Sequence, residues 1–343
     1  MTARAEQPAP TPGGEQPTLA PTRAARGAGI AVAVGIGVAV AVQARINGEL
    51  GQRIGDGLLA ALLSFLGGLL LLGSVAVTRR RMRRGLGRVR AAVRDRRLRP
   101  YQLLGGICGA FLVLCQGLTV GAVGVAVFTV AVVAGQSASA LLVDRAGVGP
   151  GGPRRLSARR VGGAALALVA VVLAVSDRIG AAQALWPAVL PALAGVGTAW
   201  QQAVNGRVGA VARDDGPALA GMLPAALVNF VVGMGTLVPA WAVEVALRGP
   251  PRPLPAQPWL YLGGPLGVLF IGAAAVIVPV TGVLLLGLGS VAGQLLGGVL
   301  LDLFLPTGAE RLTASTLIGT ALTLVAVAVI ALPGRRRAGS GHA

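Results

Sequence analysis

Two long stretches of the chain, residues 103–143 and 259–301, contain no charged residue over 41 and 43 positions. A segment of about 20 apolar residues is enough to cross the hydrocarbon core of a bilayer, which is about 30 Å thick. A straight helix over the first stretch would be about 60 Å long. Each stretch is therefore predicted to reverse, at Gly121 and Gly124 in the first and at Pro279 and Gly282 in the second.

Six further apolar blocks have about the length of a single crossing: residues 28–44, 58–77, 161–175, 186–204, 218–243 and 313–332. Charged residues make up 12% of the chain, about half the fraction that is usual in soluble domains. The sequence therefore predicts an all-α integral membrane protein with ten transmembrane helices, and it excludes a water-soluble enzyme. Residues 1–27 lack an apolar run and are predicted to form a disordered cytoplasmic tail. A cleaved signal peptide is the alternative.

The two halves of the chain repeat one another. Gln43, Asn47 and Gly48 recur 158 residues later, and Phe65 and Gly68 recur at an offset of 165. Ordered matches of this kind predict two five-helix repeats, residues 28–177 and 186–333, joined by a linker over 178–185 and followed by a tail over 334–343. Because five is odd, the second repeat is predicted to enter the membrane inverted with respect to the first.

The arginines, which supply all 30 basic side chains, indicate the orientation. With the N-terminus inside, 24 of the 30 fall on the cytoplasmic side, as the enrichment of basic residues in cytoplasmic loops requires. Both termini are then cytoplasmic. The predicted loop 78–100 carries 11 arginines, whereas its counterpart 244–258 carries two. We expect the arginine-rich loop to contact anionic lipid. Nucleic-acid binding is disfavoured because no aromatic residue precedes Tyr101 there.

The motif Gln43-x-x-x-Asn47-Gly48, followed by Ser64-Phe65 and Gly68, resembles the YdcZ-like branch of the drug/metabolite transporter superfamily. The resemblance covers both halves and implies a ten-helix, inverted-repeat carrier of small molecules in the cytoplasmic membrane. Small multidrug exporters of the same superfamily use a Glu within the first helix for proton coupling. Here the first acid is Glu49, at the far end of that helix, so this role is not carried over.

Four amide side chains are the main candidates for a substrate path. Gln43 and Asn47 are four residues apart and share a helix face, and Gln201 with Asn205 repeats the arrangement. Amides offer donors and acceptors without net charge, which suits a neutral or zwitterionic solute. The alternative is that they hold helices together through hydrogen bonds.

Further candidates are Gln136 and Gln294 near the middle of the fourth and ninth helices, and Trp200 beside Gln201. Gly293 and Gly297, like the pairs Gly105/Gly109 and Gly263/Gly267, are interpreted as packing positions. Two polar layers are predicted to flank a central cavity. Gln43, Asn47 and Gln294 form the outer layer, and Gln201, Asn205 and Gln136 form the inner one.

Two charged positions are singled out. Asp302 has apolar neighbours on both sides and is the candidate for an ion-coupling carboxylate, whereas Asp144, its repeat equivalent, has Arg145 beside it. Arg45 is interpreted as paired with Glu49 at the outer interface, with anion binding as the alternative.

The predicted function is secondary transport of a small polar metabolite or drug-like solute by alternating access. A channel or a non-transporting scaffold is the alternative. No enzymatic activity, cofactor or metal site is expected, since the single histidine is His342 and no phosphate-binding motif ending in Lys occurs. The expected partners are the solute and anionic lipid, and a homo-oligomer is compatible with the sequence.

Overall fold

The computed structural model describes residues 23–150, 152–153, 156–174, 176, 186–213, 216–306 and 312–331. Within these ranges the side chains of residues 23–26, 159–160, 186–188, 270, 272, 274–286, 288 and 330–331 are left undescribed. The predicted linker 178–185, residues 1–22 of the N-terminal tail and the tail 334–343 lie outside the described residues.

The described part of the chain folds into helices joined by short segments. The bounds are α1 Arg23–Ile54, α2 Gly57–Thr78, α3 Arg80–Arg94, α4 Gly105–Arg145, α5 Ala158–Ala174, α6 Trp186–Arg213, α7 Ala218–Arg248, α8 Gly263–Phe304 and α9 Ala314–Ala331. Four of the described helical segments are long and apolar enough to cross a membrane: Gly27–Ile54, Gly57–Thr78, Pro100–Arg145 and Ala218–Arg248. The all-helical membrane class predicted from the sequence is confirmed.

Helix α1 is longer than its apolar block. It begins at Arg23 and ends at Ile54, so residues 23–27 of the predicted tail are helical, as are the charged positions after Ala44. These charges are tolerated because Glu49 accepts hydrogen bonds from Arg53 one turn away and pairs with Arg45. The helix therefore begins about one turn before residue 28, where the first repeat is predicted to start.

Helix α4 contains the reversal that its length predicts. Gly124 has φ 80° and ψ 165°, a backbone conformation that only glycine adopts readily. Before it, a Cβ added to Gly109 would lie 2.6 Å from Nε2 of Gln201, and after it Gly135 abuts Ala192. The two glycines would be about 39 Å apart in a straight helix, yet both contact α6. The chain therefore turns back on itself near Gly124.

Helix α8 shows the same behaviour. A Cβ on Gly267 would lie 2.9 Å from Nε2 of Gln43, and one on Gly297 would lie 3.1 Å from Cβ of Ala41. The two glycines are 30 positions apart, whereas their partners on α1 are two apart. The chain must therefore reverse between Gly267 and Gly297. The predicted turn residues Pro279 and Gly282 fall in this interval, and their side chains lie outside the described ones.

Close helix crossings occur in pairs related by the repeat. Gly37 on α1 packs directly on Gly293 of α8, and at the equivalent crossing Gly195 on α6 packs against Val132 and Gln136 of α4, on either side of Gly135. Gly195 is the repeat equivalent of Gly37, and Gly293 is that of Gly135, both at the offset of 158 residues. The rings of Phe65 and Phe230, related at offset 165, lie 5.0 Å apart between α2 and α7. The two halves are thus packed through equivalent contacts.

The arginine-rich segment after α2 differs from its prediction as a loop. Residues Arg80–Arg94 form helix α3, which buries Met82, Gly85, Val89 and Ala92. These residues recur at intervals of three to four positions and make one narrow apolar stripe along a helix. The arginines between them obscured this period in the sequence.

Candidate substrate path

The first group of polar side chains lies around α1. Nε2 of Gln43 donates to the carbonyl oxygen of Gly263 at 2.7 Å, and Nδ2 of Asn47 donates to Oε1 of Gln116 at 2.6 Å. Asn47 is 1% exposed, and its Oδ1 has no hydrogen-bond partner among the described residues. That oxygen lies against Gly263, next to the hydroxyl of Ser64. We call Gln43, Asn47, Ser64 and Gln116 the α1 amide cluster.

The second group lies around α6. Nε2 of Gln201 and Nδ2 of Asn205 both donate to Oδ1 of Asn229 on α7, at 2.9 and 3.0 Å. Gln201 and Asn205 are half-buried, whereas Asn229 is buried. We call these three residues the α6 amide cluster.

The two clusters face glycine pairs in the opposite half of the chain. Gln43 and Asn47 contact Gly267 and Gly263 of α8. Gln201 and Asn205 contact Gly109 and Gly105 of α4 in the equivalent way. A side chain at any of these glycines would collide with an amide, because the Cβ positions lie within 2.9 Å of amide atoms. The glycines interpreted as packing positions are therefore the surface on which the amides rest.

The clusters differ in exposure although their sequences are related. Gln43 and Asn47 are buried, while Gln201 and Asn205 are half-buried and Gln202 is exposed. The hydrogen bond of Asn47 stays within the first half, on α4, and that of Asn205 stays within the second half, on α7. Between the halves, Nε2 of Gln43 donates to the carbonyl oxygen of Gly263. The α1 amide cluster is therefore closed against α8 of the second half, whereas the α6 amide cluster is the more exposed of the two.

Two of the predicted layer members lie elsewhere. The backbone of Gln294 contacts Gly37, about 9 Å along α1 from Gln43, and its amide is 3.4 Å from the hydroxyl of Ser290. Nε2 of Gln136 donates to Oε1 of Gln202 at 3.0 Å. The backbone nitrogen of Gln136 lies beside Gly195, six residues before Gln201, just as that of Gln294 lies beside Gly37. Both glutamines are thus offset in the same way from the amides with which they are predicted to form a layer. Trp200 is half-buried on α6.

Asp302 holds the turn of α4. Its carboxylate oxygens accept hydrogen bonds from the backbone N–H groups of Val125 and Ala126 at 2.9 and 2.7 Å. These groups are at the N-terminus of the second segment of α4, where the helix dipole favours a negative charge. Asp302 therefore acts as a helix cap supplied from the other half of the chain, in addition to being the candidate for ion coupling.

Two arginines bind helix C-termini across the halves. Arg45 donates to the carbonyl oxygen of Leu305 at the end of α8, and it lies 3.7 Å from the carboxylate of Glu49, the predicted pair. Arg207 on α6 donates to the carbonyl oxygens of Gly147 and Val148 after α4. Leu305 and Gly147 are repeat equivalents at the offset of 158 residues. Arg207, however, lies four residues beyond the position that is equivalent to Arg45, which is about one helical turn. A positive charge is favourable at both ends.

Sequence reasoning missed three polar residues here as site residues: Gln116 and Asn229 in the clusters, and Gln202, which accepts from Gln136. A usable signal existed for Asn229, because it precedes Phe230 as Ser64 precedes Phe65. Its side chain is therefore the repeat equivalent of Ser64. Gln116 and Gln202 have no polar equivalent in the other half, so the repeat gave no indication of them.

The fold and the polar clusters define the class of the molecule, a multi-pass helical membrane protein whose polar groups are concentrated where its two halves meet. The model of the DMT_YdcZ family, described as "Putative inner membrane exporter, YdcZ", matches the chain twice, over residues 28–173 and 186–329. The chain therefore belongs to this family, in a two-copy form, and it is an inner-membrane transporter. A search of curated proteins found no match to this chain.

Proposed function

We propose that this protein is a carrier that moves a small polar solute across the inner membrane by alternating access. The observation that carries the proposal is the difference between two equivalent clusters. The same amide-on-glycine contact occurs twice, buried around Gln43 and Asn47 and half-exposed around Gln201 and Asn205. Inverted-repeat carriers work by exchanging two such environments between their halves.

The proposed architecture is ten membrane spans in two inverted five-helix repeats. The first segment of α4 meets α6 in reverse order, with Gly105 beside Asn205 and Gly109 beside Gln201. Its second segment crosses α6 at Gly135 and Gly195, as α8 crosses α1 at Gly293. Together with the reversals in α4 and α8, these contacts support ten spans and an inverted second half.

The chemistry of the clusters supports a neutral or zwitterionic solute. The described side chains in both clusters are amides and one hydroxyl, which donate and accept hydrogen bonds without net charge. Asn47 has an unpartnered buried oxygen, so a solute that carries a hydrogen-bond donor is favoured once the junction at Gly263 opens.

The proposed orientation places both termini in the cytoplasm, on the basis of the arginine distribution. The α6 amide cluster then faces the cytoplasmic side and the α1 amide cluster closes the outer side. This arrangement would receive a solute from the cytoplasm, which agrees with the description of the family as an exporter.

The test is transport by the purified full-length protein in proteoliposomes. A panel of neutral and zwitterionic amino acids, polyols and quaternary amines is first screened by the shift in thermal unfolding. A labelled compound that stabilises the protein should then enter with saturable kinetics and show counterflow against an unlabelled pool. Flux that rises linearly with concentration and shows no counterflow would support a channel instead. No flux for any stabilising compound would contradict transport by this protein.

A further inference from the structure

Helix α3 is the largest feature that the two halves do not share. It occupies 15 residues between α2 and α4, whereas the corresponding segment of the second half, residues 249–258, forms no α-helix. An element present in one repeat only is not required by the repeat symmetry. It therefore calls for a role of its own.

The buried stripe of α3 is anchored on the ends of membrane helices. Met82 joins the apolar cluster of Phe65 and Leu72, while Val89 and Ala92 pack with Val208, Ala212 and Ala225 of α6 and α7. A Cβ on Gly85 would lie 2.7 Å from the ring of Pro224. The helix is thus fixed against both halves along its whole length.

A polar contact reinforces this anchoring. Nε and Nη2 of Arg88 donate to the carbonyl oxygen of Ala212 at 3.0 and 2.6 Å. Ala212 is in the last turn of α6, where unsatisfied carbonyl groups favour a cation. Arg88 is the half-buried arginine of the segment, and its role is internal.

The remaining ten arginines of the segment are exposed: Arg79, Arg80, Arg81, Arg83, Arg84, Arg90, Arg94, Arg96, Arg97 and Arg99. The one acid among them, Asp95, lies 3.5 Å from Arg94 and 3.4 Å from Arg97. The surface therefore has a large excess of positive charge that no described side chain neutralises.

This charged surface lies at the edge of the apolar layer. Val77, two residues before the first arginine, is 77% exposed, and Tyr101 and Leu104 at the other end are 46% and 41% exposed. Exposed apolar and aromatic side chains at the ends of membrane-spanning helices are suited to contact lipid. Both ends of the arginine-rich segment are therefore about one helical turn from the hydrocarbon boundary, at the depth of lipid headgroups.

We propose that α3 and its flanking arginines form a docking surface for the headgroups of anionic phospholipids. The partner follows from charge complementarity and depth, since the phosphate groups of the adjacent leaflet are the nearest anions to a surface held at this level. Nucleic acid is the less suitable partner, because residues 79–99 include no aromatic side chain on which bases could stack. This inference does not depend on transport.

The experiment uses full-length protein in a zwitterionic detergent, titrated with short-chain phosphatidylglycerol, short-chain phosphatidylcholine or inorganic phosphate. Binding is followed by thermal unfolding. We expect phosphatidylglycerol to bind at least about tenfold more tightly than phosphatidylcholine at low salt, with most of the difference lost in about 0.5 M NaCl. Equal responses to the two lipids, or an equal response to inorganic phosphate, would overturn the proposal.

Matched variants locate the effect. Replacing Arg80, Arg84 and Arg90 by Gln should reduce the preference for phosphatidylglycerol about tenfold, and replacing them by Lys should preserve it. The control replaces Arg335, Arg336 and Arg337 by Gln, which removes the same charge outside α3, and should leave the preference unchanged. A loss in the control that equals the loss in the α3 variant would refute the assignment. Tight, salt-sensitive binding of a labelled oligonucleotide that the α3 variant abolishes, without any lipid preference, would assign the surface to nucleic acid.

Discussion

Replacing Asn47 or Asn205 by Leu tests the difference between the two amide clusters, because each substitution removes the amide at nearly constant volume. In Asn47→Leu, Oε1 of Gln116 loses the donor that lies 2.6 Å away and stays buried at 2% exposure. In Asn205→Leu, Oδ1 of Asn229 still accepts from Gln201 at 2.9 Å. The first variant leaves Oε1 of Gln116 unsatisfied but also removes the unpartnered oxygen of Asn47, whereas the second leaves its acceptor satisfied.

The expected magnitudes follow from hydrogen bonds measured between membrane helices, which average about 0.6 kcal/mol and reach about 1.7 kcal/mol. We expect Asn47→Leu to lower the free energy of unfolding by about 1 kcal/mol, because the unsatisfied oxygen of Gln116 is costly while removal of the unpartnered oxygen of Asn47 offsets part of that cost. Asn205→Leu should cost about 0.5 kcal/mol or less, since its bond is half-exposed and shares its acceptor. Transport per folded molecule should nevertheless fall at least about tenfold in Asn205→Leu, since about 1.4 kcal/mol of lost solute contact is a factor of ten.

The assay combines equilibrium unfolding in mixed micelles with counterflow in proteoliposomes, normalised to folded protein. Ser74→Ala is the control, because its hydroxyl bonds only to Leu71 of its own helix and is exposed. The reasoning would be refuted if Asn205→Leu destabilised the protein as much as Asn47→Leu while transport per folded molecule stayed normal. In that case the α6 amide cluster would serve packing alone.

Three further predictions concern packing, Asp302 and topology. Gly37→Ala should lower the free energy of unfolding by about 1–3 kcal/mol, because its methyl group would meet the backbone of α8. Gly35→Ala has no atom within 4 Å of the added methyl group, so thermal unfolding should show no change or a stabilisation of up to about 1 kcal/mol. Equal effects of the two substitutions would contradict the helix crossing at Gly37. Asp302→Asn should lower the free energy of unfolding by about 1–2 kcal/mol, because an amide offers one acceptor oxygen to the two N–H groups of Val125 and Ala126 and carries no charge. Loss of pH-driven uptake per folded molecule in this variant would assign ion coupling to Asp302, and unchanged uptake would exclude it. In a cysteine-free background, Arg90→Cys should react with an impermeant thiol reagent from the cytoplasmic side and Leu254→Cys from the outside, and labelling of both from one side would disprove the inverted repeat.

Several features of the fold could be read from the sequence because they depend on neighbouring residues. The reversal near Gly124 follows from the length of an uncharged stretch, and its location follows from a residue type that tolerates positive φ. Helix α3 was not predicted, because its seven arginines hide the period of its four buried positions. Its helical form depends on α6 and α7, which supply the surface that the stripe covers.

The candidate site was predicted in part for a similar reason. The repeat identified Gln43, Asn47 and their equivalents as a set, since polar groups in apolar spans are few. The predicted depth of Gln294 was counted along each helix separately, whereas α1 and α8 cross at Gly37 and Gly293. The relative depth of two side chains on different helices is set by where the helices touch.

The sequence by itself determined that the chain is a duplicated helical membrane protein, because hydrophobicity, charge asymmetry and repetition are properties of the linear order of residues. Only the tertiary structure shows which residues of the two halves are in contact. Gln43 rests on glycines of α8, and Asp302 caps a turn 177 residues away in the chain. It also decided that one amide cluster is buried and its equivalent half-exposed. The physical reason is that contact and exposure depend on the packing of all helices together, and two identical motifs acquire different surroundings when the halves around them are arranged differently.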